Sequence, residues 1–272
     1  MSLKGVYTAL SGAIAQTQKL DTIANNIANV NTPGFKRDDV TFQEYLTANE
    51  KEQQVMNVPR VPASIESFYD MQGGDKSYVD LKGTFTDHSQ GSLRPTGNKF
   101  DIAIDGKGFF EVMTPQGVRL TRAGNFTMDG NGRLVTKEGF PVLRAGAGGE
   151  DPENRVFTFT DSSQVQLGDG GEVFQGQENL GQLSVVEVAD PDALIKVGNS
   201  MYGFKQNMNA EVTNVARPSL KQGFLEMSNV NIVKEMTDMI TANRVFESTQ
   251  KAISTYDQMA DKVVNVIGKT GF

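Results

Sequence analysis

The sequence contains no cysteine, no tryptophan and a single histidine among its 272 residues. The absence of cysteine excludes disulfides, thiolate metal sites and cysteine nucleophiles. The single histidine, His88, excludes sites built from two histidines and leaves one residue of the commonest general-base type. Most classes of enzyme are therefore disfavoured, and we expect no catalytic residue, no metal and no cofactor.

Long apolar runs and long basic runs are also missing. No stretch approaches the roughly 18 uninterrupted apolar residues of a membrane span, and the N-terminus lacks the basic and apolar regions of a cleaved secretory signal. We therefore expect no direct membrane insertion. The formal net charge is -7, and no basic run is longer than Lys36-Arg37, so the composition argues against nucleic acid as a partner.

Short motifs that imitate ligand sites fail on their spacing. Gly268-Lys269-Thr270 resembles the end of a phosphate-binding loop, but the glycine required five residues before Gly268 is replaced by Val263. Asp129-Gly130-Asn131-Gly132 resembles a calcium loop, but Phe140 stands where the bidentate Glu belongs. We interpret the first as a chain terminus and the second as a hairpin turn. His88, flanked by Asp87 and Ser89, is expected to be solvated.

The N-terminal region shows the seven-residue periodicity of a helix with a coiled-coil seam. Leu3 and Leu10 are the first residues of one line of positions that are seven residues apart. A second such line begins three residues later in the sequence, at Val6. The apolar members proposed to contact partner chains are Leu3, Val6, Leu10, Ala13, Leu20 and Ile27. Two glycines and several asparagines weaken this helix, so we expect it to be marginal alone.

A turn rich in asparagine follows the helix. Its proposed structural residues are Asn25, Asn26, Asn29, Asn31, Pro33 and Gly34. Proline disfavours helical geometry at the preceding residue, and Gly34 tolerates positive φ, so the helix should end here.

The C-terminal region repeats the heptad pattern more strongly and predicts a helix of about 36 residues. The proposed partner-binding positions fall at successive sevens: Ile232, Met239, Phe246, Ile253, Ala260 and Ile267. Further apolar residues, among them Met236, Ile240 and Val245, lie around the same helix. A helix that is apolar on several faces needs more than one neighbour, and we expect other chains to supply some of them.

Between the terminal helices the periodicity changes to the alternation of β-strands. Strands are predicted at 99–104 and 109–112, paired as a hairpin across 105–108, and at 124–128 and 133–136, paired across 129–132. Further strands are predicted at 156–160, 165–167, 172–175 and 182–188. The fold class is therefore α+β, in which long N- and C-terminal helices pair as a coiled coil around an inserted all-β domain.

The same patterns predict the domain boundaries. Residues 1–34 form the N-terminal helix of a terminal helical domain, and 228–272 form its C-terminal helix. Residues 35–83 form an extended connecting segment, 84–203 the β-rich domain, and 204–227 the return connection.

Three parts of the sequence carry recognisable motifs: an N-terminal motif at 25–37, middle motifs from Thr96 to Leu143, and a C-terminal motif at 223–247. Together they resemble the bacterial flagellar basal-body rod and hook protein family. The resemblance covers nearly the whole chain and is weakest at 43–92 and 145–178. Within the family the length argues against the hook protein. The segment 42–91 lacks a longer Gly- and Pro-rich insert, which favours the proximal rod subunit over the distal one.

The resemblance implies a structural role. It implies a subunit that polymerises through its terminal helices into the axial drive shaft, with copies of itself, other rod subunits and ring components of the basal body as partners. It also implies a location in the periplasmic rod after type III export without a cleaved signal. The alternatives are a distal rod or short hook-type subunit, a periplasmic ligand-binding β domain on a coiled-coil stalk, and a soluble coiled-coil adaptor that forms a discrete dimer.

Overall fold

The computed structural model describes residues 4–46, 77–146, 150–160, 165–168, 170–205 and 211–267. It confirms an α+β protein with a helix at each end and a β-rich middle. The chain divides into two compact units: residues 1–25, 38–85 and 233–272 form the first, and residues 26–37 and 86–232 form the second. Neither helix, within the part of the chain described, combines the length and apolar character that a membrane-spanning helix requires.

The first unit contains most of the two long helices and a two-stranded sheet. Helix α1 spans Lys4–Ala28, and helix α2 spans Ile232–Ile267, which confirms the predicted length of 36 residues. Strands β1 (Asp38–Leu46) and β2 (Ser77–Thr86) pair with each other. Both strands include part of the segment predicted as an extended connection, and the domain boundaries proposed from the sequence stay a prediction.

The second unit contains fifteen of the described strands. The first eight of these strands are β3 (Leu93–Pro95), β4 (Ile102–Ile104), β5 (Phe109–Thr114), β6 (Gly117–Thr121), β7 (Thr127–Met128), β8 (Leu134–Val135), β9 (Val165–Leu167) and β10 (Glu172–Gln175). The rest are β11 (Glu178–Gln182), β12 (Val185–Val188), β13 (Leu194–Gly198), β14 (Met201–Phe204), β15 (Val212–Asn214), β16 (Leu220–Gln222) and β17 (Phe224–Glu226). Short 3-10 turns lie at Pro152–Arg155 and Pro191–Ala193.

The central sheet has six antiparallel strands in the order β13-β14-β6-β5-β12-β15. Successive side chains point to opposite faces of a strand, so neighbouring residues enter different cores. Phe110 and Val185 lie in the larger core, while Phe109 and Val186 lie in the smaller one. This alternation lets one sheet support two apolar clusters.

One predicted hairpin is confirmed and the other is wrong. Strands β7 and β8 pair across the Asp129–Gly132 turn, as expected. Strand β4 pairs instead with β16 from the far end of the unit, and β5 pairs with β6. Gly106 and Gly108 both have positive φ, at 124° and 119°, and let the loop between β4 and β5 carry the chain from one sheet to another. Local alternation alone does not reveal this change of sheet.

The segment predicted as one strand at 156–160 forms only isolated bridges. Val156 bridges to Leu143, and Thr158 bridges to Arg133. The segment predicted at 182–188 falls partly in β11 and mainly in β12. The segment predicted as a return connection contains β15, β16 and β17.

Candidate functional site

The proposed partner-binding residues of α1 lie on two sides of the helix. Ala13 is buried, and Val6, Leu20 and Ile27 are half-buried. Leu10 is 45% exposed, whereas Leu3 lies outside the described residues. Contact of these residues with other chains stays a prediction.

Exposed apolar residues extend the surface around Leu10. Tyr7 is 55% exposed and Ile14 is 53% exposed. Thr17 and Asp21 continue the same line toward the C-terminal end of the helix, and both are exposed. Positions 7, 10, 14, 17 and 21 alternate steps of three and four residues, which is the spacing of a coiled-coil seam. We call these five residues the α1 ridge.

The proposed residues of α2 lie mainly on its covered side. Met239, Phe246 and Ile253 are half-buried, while Ile232 is 39% exposed. The side chains of Ala260 and Ile267 lie outside the described part of the chain. Of the seven described positions of the helix that are not exposed, Asp238 is one, and the other six alternate steps of four and three: Glu235, Met239, Ala242, Phe246, Thr249 and Ile253. Another side of α2 exposes Val233, Met236 and Ile240.

A groove of about 770 Å³ lies between the two helices. We call it the helix groove, and its α1 wall consists of the small residues Gly5, Thr8, Ala9 and Gly12. Its α2 wall consists of Arg244, Val245, Ser248, Thr249, Ala252 and Tyr256. The helices approach closely at one point, since a Cβ atom added to Gly5 would lie 3.4 Å from the Tyr256 hydroxyl oxygen.

The asparagine-rich turn unwinds α1 through shorter hydrogen-bonded turns. The backbone N–H groups of Asn29, Val30 and Thr32 each donate to the carbonyl oxygen three residues earlier. Of the proposed turn residues, Asn26 and Gly34 are buried, Asn29 and Pro33 are half-buried, and Asn25 and Asn31 are exposed. The turn is therefore an ordered structure, and the side chains of its asparagines differ in environment.

Gly34 fixes the end of this turn against the C-terminal motif. Its φ is 68°, and its N–H donates to the Glu226 carbonyl oxygen at 2.8 Å. A Cβ atom at this position would lie 2.3 Å from the Ala123 backbone nitrogen. Positive φ and lack of space both require glycine here, as the sequence predicted for the φ angle.

A buried cluster of charged side chains follows directly after the turn. The Glu226 carboxylate lies 2.5 Å from Lys36 Nζ through Oε1 and 3.0 Å from Arg122 Nη1 through Oε2. Lys36 and Glu226 are each 1% exposed, and Arg122 is 5% exposed. These three residues, which we call the ionic cluster, come from the N-terminal, middle and C-terminal motifs and bring all three together.

Backbone groups complete the ionic cluster. Lys36 Nζ donates to the Ser89 carbonyl oxygen at 2.7 Å, and Arg122 Nη2 donates to the Gly106 carbonyl oxygen at 2.8 Å. The Gly91 N–H donates to Glu226 Oε1 at 2.9 Å. Buried charges are costly unless they are paired and hydrogen-bonded, and these contacts meet that requirement for Lys36, for Glu226 and for both Arg122 Nη atoms. The Arg122 Nε is buried without a hydrogen-bond partner in the described part of the chain.

Burial sets the protonation behaviour of the two cations. Burial lowers the pKa of Lys36, although the adjacent Glu226 carboxylate acts in the opposite direction. Burial also lowers the pKa of Arg122, again against the influence of Glu226. Removal of the Glu226 charge would leave two buried cations with no carboxylate between them.

Asn229 ties a second part of the C-terminal motif to the N-terminal one. Its Oδ1 accepts a hydrogen bond from the Arg37 N–H at 2.7 Å. Its Nδ2 donates to the Asp87 carbonyl oxygen at 2.9 Å and to Ser89 Oγ at 3.0 Å. Asn229 therefore joins the chain just after Lys36 to the segment that precedes the β-rich sheet.

The prediction that His88 is solvated is wrong. Its ring packs edge-on against Phe109 at 5.8 Å between ring centroids, and against Tyr202 at 5.6 Å. Burial lowers the pKa of His88, and the nearby Lys36 and Lys196 charges act in the same direction. A neutral imidazole at this position extends the smaller apolar core.

The sequence analysis missed Lys36, Arg122, Glu226 and Asn229 as structural determinants. All four lie inside motifs that carry the family resemblance, yet heptad periodicity and strand alternation do not select them. A charged residue in each motif was the available signal, but each motif contains other charged residues as well. Among the described residues, no group of three or more potential ligands is arranged to hold a metal ion.

Three family models match the chain. "Flagella basal body rod protein" matches residues 6–36, "Flagellar hook protein FlgE/F/G D1 domain" matches 103–175, and "Flagellar basal body rod FlgEFG protein C-terminal" matches 221–266. The first and last matched ranges contain Lys36 and Glu226, and the middle range contains Arg122. The ionic cluster therefore draws one residue from each of the three matched regions.

Curated relatives match over nearly their whole lengths. Flagellar basal-body rod protein FlgG of Bacillus subtilis (strain 168) is 35% identical, covering 97% of this chain and 99% of the relative. FlgG of Agrobacterium fabrum is also 35% identical, covering 96% and 98%, and FlgF of Mesorhizobium japonicum is 32% identical, covering 97% of both. With family models at both ends and in the middle, these matches show that the chain belongs to the flagellar basal-body rod protein family.

Proposed function

We propose that this chain is a structural subunit of the flagellar basal-body rod, which polymerises through its terminal helices into the axial drive shaft. The observation that carries the proposal is the α1 ridge. Tyr7, Leu10 and Ile14 are each at least 45% exposed in the monomer and occupy coiled-coil positions. Burying such residues against neighbouring subunits removes apolar surface from water and favours assembly.

The terminal helices are proposed to pair as a coiled coil in the assembled subunit. Supporting this, six of the seven described positions of α2 that are not exposed have alternating heptad spacing, and residues of both α1 and α2 line the helix groove within the first unit. Gly5 and Gly12 weaken α1 as an isolated helix, so its stability should depend on its neighbours.

The ionic cluster is proposed to hold together the chain segments that follow α1 and precede α2. The ionic cluster connects residue 36 to residue 226, which follow α1 and precede α2 respectively. A buried cluster in which both Glu226 oxygens and both Arg122 Nη atoms are hydrogen-bonded resists local opening, which suits a subunit that transmits torque.

The proposed partners are copies of this chain, other rod subunits and ring components of the basal body. The proposed location is the periplasmic rod, reached through type III export without a cleaved signal. The relatives carry two subunit names, FlgG and FlgF, at similar identity. The proximal rod subunit therefore stays our prediction from the sequence, with the distal subunit as the alternative.

Deletion of the gene in its source bacterium tests this function. Complementation with the wild-type chain should restore swimming in soft agar. Complementation with Tyr7→Asp/Ile14→Asp should restore export and protein level but not swimming, since both changes lie on the exposed α1 ridge. The matched control is Lys251→Asp, an exposed position on α2 outside the helix groove. Normal swimming by the double ridge variant would contradict the proposal.

A further inference from the structure

We propose that the α1 ridge of one copy docks into the helix groove of a second copy of this chain. This inference rests on the proposed function and deepens it by naming the two surfaces in contact. The groove is lined on its α1 side by small residues, and the ridge carries Tyr7, Leu10 and Ile14 as large apolar side chains. Large residues on one surface thus meet space on the other.

The two surfaces lie on opposite sides of the same helix. At 100° per residue, the mean directions of the groove residues Gly5, Ala9 and Gly12 and of the ridge residues Tyr7, Leu10 and Ile14 differ by about 170°. The ridge of a given copy therefore points away from its own groove. A single chain cannot bring the two surfaces together, but successive copies can.

This arrangement determines the type of assembly. A two-fold symmetric dimer uses the same surface patch on both copies, and the ridge and groove cannot share one patch because they lie on opposite sides of α1. Ridge-into-groove contact is heterologous, and it leaves one free ridge and one free groove at the ends of every open oligomer. Such contacts produce an open polymer unless the rotation between copies closes a ring.

Charge favours the same occupant. Arg244 is the charged residue among those lining the groove, and Asp21 ends the ridge on the exposed face of α1. The ridge includes no basic residue. A second copy therefore offers both the apolar side chains and the opposite charge that this groove would accept.

Gly12 provides a substitution that fills the groove without disturbing the monomer. A Cβ atom added to Gly12 has no heavy atom within 4 Å, so a side chain there meets open space. Leucine also has a higher helix propensity than glycine. Gly12→Leu should therefore leave the purified monomer folded, with thermal stability at least equal to wild type, while it prevents incorporation into basal bodies. The matched control, Ser254→Leu, lies on the exposed side of α2 away from the groove and should incorporate normally.

The absence of native cysteine allows a direct cross-linking test. Two differently tagged full-length chains, one with Leu10→Cys and one with Ala252→Cys, would be co-expressed in the deletion strain, and isolated basal bodies would be oxidised. A disulfide forms only when the two Cα atoms come within about 7 Å. We expect a cross-linked species that carries both tags, and we expect Ser254→Cys in place of Ala252→Cys to give at least tenfold less.

The outcomes separate this inference from the function on which it rests. Absence of the wild-type chain from basal bodies would contradict the proposed function itself. Incorporation of the wild-type chain together with ridge-to-ridge cross-links through Leu10→Cys, or equal yields from Ala252→Cys and Ser254→Cys, would overturn only the docking. Normal incorporation of the Gly12→Leu chain into basal bodies would also overturn the docking of ridge into groove, even if Leu10→Cys lowers assembly.

Discussion

Replacing Glu226 with glutamine tests the ionic cluster most directly. The carboxylate lies between two cations, Lys36 at 2.5 Å and Arg122 at 3.0 Å, and all three side chains are at most 5% exposed. Glutamine keeps the size of the side chain but supplies one acceptor oxygen in place of two. In either orientation its NH₂ group faces a positively charged donor.

The expected loss follows from the cost of leaving a buried charge without its partner. Removing one member of a buried ion pair costs about 3 to 5 kcal/mol of unfolding free energy. For a chain of this size, each kcal/mol lowers Tm by about 2 to 4 °C, so Tm should fall by about 6 to 20 °C. Circular dichroism of the purified full-length monomer during heating and during urea titration provides the measurement.

An exposed ion pair in the same unit supplies the control. Lys221 and Asp105 lie 2.7 Å apart, but their side chains are 45% and 41% exposed. Asp105→Asn should leave Tm unchanged, because solvent screens exposed pairs. A loss below about 1 kcal/mol for Glu226→Gln, which is the range of a surface pair, would refute the view that the cluster joins the three motifs.

Three further predictions concern the turn, the half-buried histidine and the covered side of α2. Gly34→Val should prevent folding of the β-rich unit, because φ at this position is 68° and a Cβ atom would clash with the Ala123 backbone. Asn31 is exposed, so the Asn31→Asp protein should fold and its cells should swim normally. Soluble yield and soft-agar motility compare the two variants. The pKa of His88 in the folded state lies below its ordinary value of 6.5. The neutral imidazole therefore contributes stability above pH 6.5, and this contribution is lost as the pH falls through the folded pKa. Urea midpoints at about pH 7.5 and about pH 5.5 should differ less in His88→Leu than in wild type. Ile253→Asp should be exported but block rod assembly, because burying its side chain at an interface contributes about 1.5 to 3 kcal/mol and an unpaired carboxylate adds a further cost; normal swimming with stable Ile253→Asp protein would contradict that role.

Local periodicity predicted the helices and strands of this fold better than it predicted which strands pair with each other. The 36-residue helix α2 follows from heptads that persist over its whole length, and the β7–β8 hairpin follows from strands separated by a short glycine-containing turn. The pairing of β4 with β16 could not be predicted in the same way. It joins segments more than a hundred residues apart, and a periodicity that is local in sequence does not connect them.

The ionic cluster illustrates the same limit at the level of side chains. Glu226 is separated by 190 residues from Lys36 and by 104 from Arg122. A single sequence presents these residues as three ordinary charges in three motifs. Only the folded chain shows that each motif supplies one member of a common buried site. This shared site explains why Lys36, Arg122 and Glu226 occur among the glycine and apolar residues of the motifs.

Electron microscopy of isolated basal bodies tests the central claim that this chain is a rod subunit built through its terminal helices. The full-length chain would carry a small tag in the loop between β7 and β8, at Asn131, which is exposed and distant in sequence from both helices. Labelled particles should show the tag on the rod, with α1 and α2 resolved in its wall. Complete rods that lack the label, from cells that express and export the tagged chain, would contradict the claim.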